Sequence, residues 1–88
     1  MIIKVDEEIR NEIQKYQYEV ESRKELISFM VSTNIENNEA MARYENEYLH
    51  YFKLYNEAKA KMLNKYLNNI DYKSWNLDFL TCELKVVI

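Results

Sequence analysis

Two apolar stripes with mirrored spacing constrain this chain more than any other feature of it. Ile9, Ile13, Tyr16, Val20, Arg23, Ile27 and Met30 alternate spacings of four and three, and Met41, Tyr44, Tyr48, Tyr51, Tyr55, Ala58 and Met62 run through the same rhythm in reverse. Each stripe reads as the seam of an amphipathic helix. If the two are laid antiparallel, Met30 meets Met41, Ile27 meets Tyr44, Arg23 meets Tyr48, and so on down to Ile9 with Met62. The residue numbers in every pair then share one sum, and half of it places the turn near residues 35 and 36. The polar stretch Ser32-Thr33-Asn34 lies just before that point, and Thr33 with Glu36 three residues on has the pattern of a capping box. The expectation is an antiparallel, coiled-coil-like hairpin with helix one at 6–31 and helix two at 36–67.

The flanking segments follow other rhythms. Ile2, Ile3 and Val5 are β-branched and suit a short strand, after which Asp6 is a candidate cap with Glu7 and Glu8 in the first helical turn. Asp6, Glu7, Glu8 and Glu12 would lie beside Lys59, Lys61 and Lys65 in the hairpin, pairs worth about 0–1 kcal/mol each that favour the antiparallel arrangement together. Helix two should fray at Asn68-Asn69. Beyond it, Trp75-Asn76-Leu77-Asp78-Phe79 and Glu83-Leu84-Lys85-Val86 alternate with period two. Residues 71–88 thus read as a β-hairpin turning around Leu80-Thr81-Cys82, with residues 2–5 as a candidate third strand. A short third helix or an extended tail packed on the hairpin is the alternative. The fold class is mainly α, in a single domain spanning 1–88.

Composition removes several function classes. The chain has no glycine and no proline, so phosphate-cradling loops and dinucleotide-binding turns lose their usual residues. A formal charge of −3 argues against nucleic-acid binding, which depends on Lys and Arg neutralising phosphates. No apolar run approaches the roughly 20 residues a bilayer requires, and the acidic start at Asp6 does not suit a signal peptide. The expected setting is cytoplasmic, without membrane partners. The single cysteine, Cys82, permits no internal disulfide, and its expected role is that of a small buried or half-buried apolar residue.

Two charged residues conflict with the apolar pattern. Arg23 falls within the seam, where its guanidinium can lie over a tyrosine ring with Glu19 within reach at i−4. Glu45 falls between Met41 and Leu49, and either snorkels outward or takes a counter-charge from a partner chain. Glu47 and His50 have the Glu-x-x-His spacing of carboxylate-bridged di-metal bundles, which a glutamate of helix one such as Glu19 or Glu21 could complete across a dimer. At 100° per residue, however, Glu47 and His50 lie on the polar side of helix two, where solvated surface is the expectation. Of the eight tyrosines, Tyr16, Tyr44, Tyr48, Tyr51 and Tyr55 occupy seam positions, which favours core packing over redox or stacking roles. Neither a Cys/His nucleophile nor a zinc site has enough ligands. No catalytic residue and no cofactor is expected.

A helical hairpin followed by Trp75-x-Leu77-Asp78-Phe79-x-Thr81-x-Glu83-Leu84 resembles small accessory proteins encoded beside the modification enzymes of ribosomally made cysteine-repeat (CXXX) peptides. The likeness spans most of the chain, rests on this tail motif, and implies a non-catalytic helper that binds a precursor peptide or its maturase. From the residues themselves, a two-helix layer cannot cover both of its sides, so Leu49, Phe52, Leu63, Leu67 and Trp75 are the candidate edge for a protein or peptide partner, with a homodimer expected. The expected function is a non-catalytic interaction, scaffolding or accessory protein. The alternatives are a dimeric half-ferritin-like metal binder using Glu47 and His50, and a small phage or mobile-element inhibitor of a host protein.

Overall fold

The two stripes do form one seam. In the computed structural model, which describes residues 1–33 and 38–88, strand β1 (Ile2–Lys4) leads into helix α1 (Glu7–Ser32). Helix α2 (Asn38–Tyr66) and strands β2 (Ser74–Asp78) and β3 (Glu83–Val87) follow. Ile13, Val20 and Met30 of α1 and Ala58 and Met62 of α2 are buried, and the five seam tyrosines are half-buried with their rings between the helices and water. The expected turn near residues 35 and 36, the start of helix two at 36 and the Glu36 half of the capping box lie outside the described residues. Thr33 itself works for α1: its backbone N–H and its hydroxyl both donate to the Phe29 carbonyl, at 3.0 and 2.8 Å.

Asp6 stands at the N-cap of α1, yet its side chain caps nothing. The carboxylate reaches across to the Lys65 ammonium at 2.7 Å, while the Asp6 N–H donates to the Tyr66 hydroxyl at 3.0 Å. An ion-pair partner at the end of α2 has outcompeted the local cap, and the first turn of α1 is thereby fixed to the last turn of α2. Among the described residues, Asp6–Lys65 is the ion pair that joins the expected acidic and basic clusters.

The C-terminal segment is a β-hairpin, and β1 joins it, giving an antiparallel sheet in the order β1-β3-β2. Leu84 and Val86 on β3, Trp75 and Leu77 on β2 and Ile3 on β1 point to one face, which packs on the base of the helical hairpin. Met62 and Leu84, both fully buried, meet there in one cluster with Val5, Ile13, Ala58, Leu67, Leu77, Cys82 and Val86. The opposite face carries Lys4, Glu83, Lys85 and Asp78 into solvent, the alternation expected of a sheet with one wet side.

Without glycine, the chain makes its left-handed turns with other residues. Asn69 takes φ 70° where α2 ends, a position asparagine tolerates better than most residues. Cys82 takes φ 58° at the end of the β2–β3 turn, a conformation that costs on the order of 1 kcal/mol or more outside glycine. Two bonds to Val5 offset it: the Val5 N–H donates to the Cys82 carbonyl at 2.9 Å, and the buried Cys82 thiol donates to the Val5 carbonyl at 3.0 Å. The turn is organised from its first strand. The Asp78 carboxylate accepts the N–H groups of Leu80 and Thr81, at 2.9 and 3.2 Å, and pairs with Lys85 at 3.3 Å. An Asx-type turn thus replaces the usual Asn-Gly chemistry.

Leu84→Ala is expected to cost about 2–4 kcal/mol in chemical denaturation. Because Leu84 seals sheet to helices, the helical signal should disappear in the same shifted transition; loss of sheet signals alone would mean that the two layers fold independently. The Asp78 carboxyl is held below the ordinary carboxylate range, chiefly by the Thr81 N–H and then by the Leu80 N–H and Lys85, against the opposing cost of burial. Its folded value is depressed, so its contribution is full above the unfolded value near 4 and is lost as pH falls through the lower folded value. Asp78→Asn, which keeps an acceptor for the turn, should retain most of the melting temperature at neutral pH and flatten its acid dependence, whereas Asp78→Ala should lower it at all pH values.

Candidate interaction site

The seam divides the hairpin into two flanks. At 100° per residue, Arg10, Gln17 and Lys24 of α1 share one flank with Phe52, Lys59 and Tyr66 of α2, and Glu12, Glu19 and Leu26 share the other with Glu47, Leu54 and Lys61. The sheet packs over the first flank, where Arg10 Nη1 donates to the Phe79 carbonyl at 3.2 Å. It covers only the base. The molecule measures 48 × 25 × 20 Å, and over the far half of the hairpin no third layer is present among the described residues.

Where sheet meets hairpin on this flank, a cleft of about 250 Å³ opens between Ile13, Gln17, Tyr55 and Lys59 of the helices and Trp75, Asn76, Leu77 and Phe79 of the sheet. The Lys59 ammonium stands 4.1 Å from the centre of the Tyr55 ring. A cation over a ring face is favourable, and Lys59 as a residue is half-buried. Burial, and then the charge of Glu21, push the Tyr55 hydroxyl above its ordinary pKa, so it remains a neutral donor. Along the same flank away from the sheet, Lys24, Ile27, Ser28 and Tyr48 line a second hollow of about 170 Å³. The cleft offers one cation, the amide of Gln17, and apolar walls.

Of the five residues expected to form a partner edge, Leu49 and Phe52 are 61% and 41% exposed, with Phe52 stacked on Tyr48 at 5.7 Å. Trp75 is half-buried in the cleft wall. Leu67 does not belong to such an edge. It is 4% exposed and packs in the core, because the chain turns under the sheet just past the end of α2. Leu63 is half-buried against the same core. Sequence reasoning missed Gln17, Tyr55, Lys59 and Asn76 as a group. Lys59 and Gln17 lie beside the two seams, a signal available in the heptads, but only the placement of the sheet brings them to Trp75.

Glu47 keeps its side chain 37% exposed but also has a partner in the seam. It reaches across the seam to Arg23 Nε at 3.3 Å, and Glu19 pairs with the same guanidinium, which lies over the Tyr51 ring at 4.9 Å. The ring under Arg23 is therefore Tyr51 rather than the Tyr48 directly opposite, since the long side chain bends toward the two carboxylates. His50 is exposed, edge-on to Tyr51 at 5.3 Å. Among the described residues no group of three or more His, Cys, Asp or Glu side chains could hold a metal ion. Glu45 is exposed, having snorkelled outward. Among the described residues no helix is long and apolar enough to cross a membrane.

Arg23→Ala should lower the melting temperature, because Glu19 and Glu47 would then face one another across the seam without their shared cation, and Glu47→Gln in that background should recover part of the loss. His50→Ala should leave it unchanged. No protein-family model, no curated protein and no solved structure matches the chain.

Proposed function

We propose that this chain is a non-catalytic interaction or accessory protein that receives a protein or peptide partner along the flank shared by the sheet and the hairpin. One observation carries the reading. The sheet roofs only the base of the helices, and Leu49 and Phe52 lie uncovered on the flank of α2 that carries Lys59, farther along the helix from the Lys59–Trp75 cleft. Exposed aromatic and aliphatic side chains sharing a flank with a cleft with a few polar groups are what partner surfaces are built from. The resemblance to helpers of cysteine-repeat peptide modification supports a peptide or its maturase as the partner. A cytoplasmic setting suits the reduced Cys82 thiol, and a homodimer would cover the same apolar side chains.

The test is a photo-crosslinking amino acid at position 49 or 52, with position 25 on the outer surface of α1 as the control. Adducts specific to 49 and 52 are expected in extracts of the native host, and their masses distinguish a second copy from a foreign polypeptide. Equal background at all three positions would sink the reading. Leu49→Asn with Phe52→Asn should remove the adducts seen from neighbouring positions while changing stability by no more than about 1 kcal/mol, as surface substitutions do.

A further inference from the structure

We propose that the open edge of β2 takes an extended peptide segment as an added strand, with a carboxylate side chain of that segment meeting Lys59 in the adjoining cleft. The proposal rests on the reading that this flank receives a partner, and specifies the partner's chemistry.

The hydrogen-bond parity of the sheet identifies the free groups. Met1 and Val86 exchange backbone bonds at 3.0 and 2.8 Å, and Val5 donates to Cys82 at 2.9 Å, so the even-numbered residues of β3 face β1. Glu83, Lys85 and Val87 therefore face β2, where they stand opposite Asp78, Asn76 and Ser74. Alternation leaves the N–H and C=O groups of Trp75 and Leu77 directed to the open edge. Edges are commonly blunted by lysine, proline or a bulge, and Ser-Trp-Asn-Leu-Asp carries neither lysine nor proline. The other edge, β1, is three residues long, includes Lys4, and contributes no residue to this cleft.

The same two residues that offer backbone bonds also point their side chains into the cleft. A strand laid beside β2 at about 4.8 Å would send alternate side chains to that face. There they would meet the Trp75 ring and Ile13, the Gln17 amide and Lys59. The Lys59 ammonium has no carboxylate partner among the described residues and stands over the Tyr55 ring. A carboxylate delivered beside it gains an ion pair, whereas a cation would be repelled. Glu21, whose charge reaches Tyr55, sets an opposing sign nearby and favours one acid at that point over several. Backbone bonds would supply affinity and the cleft would supply selectivity, as in other strand-addition modes.

The experiment titrates the full ¹⁵N-labelled chain with a blocked peptide, Thr-Φ-Thr-Glu-Thr-Φ-Thr, in which Φ is an equimolar mixture of Val, Leu, Phe and Tyr. The amide signals of Trp75 and Leu77 and the Trp75 indole should shift, and a lysine in place of the glutamate should weaken binding about fivefold or more. Lys59→Glu should reverse that preference. The added strand is antiparallel, as both pairings of the sheet are, so its residues opposite Trp75 and Leu77 share their face. N-methylation of the Glu and Φ residues should therefore abolish binding, and N-methylation of the Thr residues should not, a pattern that holds whether or not the Lys59 variant folds well. Absence of shifts at β2 with about 1 mM peptide, a loose bound on any useful affinity, would overturn the proposal. So would concentration-dependent shifts of Trp75 and Leu77 without peptide, which would give the edge to a second copy. If β2 is silent while positions 49 and 52 still cross-link to a partner, strand addition fails and the interaction reading stands; if both are silent, both fail.

Discussion

Two antiparallel helices can bury only the stripe along which they touch, and this limit governs the rest of the molecule. A chain of 88 residues gains little surplus stability from one seam, so the flanks need a third layer wherever they are apolar. The protein provides that layer at one end. Leu77, Leu84 and Val86 close over Ile13, Ala58 and Met62, and nearly all of the fully buried side chains lie in that half. Toward the far end the seam relies on Val20 and Met30, on half-buried tyrosine rings, and on Arg23 held between two glutamates. Polar contacts thus replace apolar depth in the half that lacks a roof.

The sheet in turn depends on joining segments far apart in the chain. β3 lies between β1 and β2, so Ile2–Lys4 completes a layer whose other strands begin at Ser74. Asp6 then ties the start of α1 to Lys65 and Tyr66 at the end of α2. Each layer is fastened at the same place, where both helices enter the core. Loop-closure entropy for such distant pairings must be recovered from burial, and the fully buried Leu84 and Met62 sit where that recovery is greatest.

Much of this was legible in the sequence because it is periodic. The heptads gave both helices and their pairing, and period-two alternation gave β2, β3 and the turn between them. What escaped were side chains whose role depends on another element's position. Asp78 looked like any strand-end acid until its carboxylate met the N–H groups of Leu80 and Thr81. Glu47 was assigned to water because a wheel records angle and ignores reach, and a glutamate one step off the seam can still touch an arginine within it. Leu67, just past the last helical turn, belongs to no periodic pattern, and its burial follows from the path of the connecting chain. The cleft of Lys59 and Trp75 joins residues from a helix and a strand, and no local pattern in either announces the other.

Cys82 links several of these constraints in one side chain. It ends the turn that Asp78 begins, holds a backbone conformation that glycine would normally take, and donates its thiol to the Val5 carbonyl beneath β1. Reagent can reach its sulfur only when the core around Cys82 opens, so the rate at which the thiol is alkylated under native conditions clocks that opening. Compared with the rate of global unfolding, the clock separates two kinds of molecule: one in which the first strand peels away on its own while the helices stay packed, and one in which the sheet and the hairpin part together.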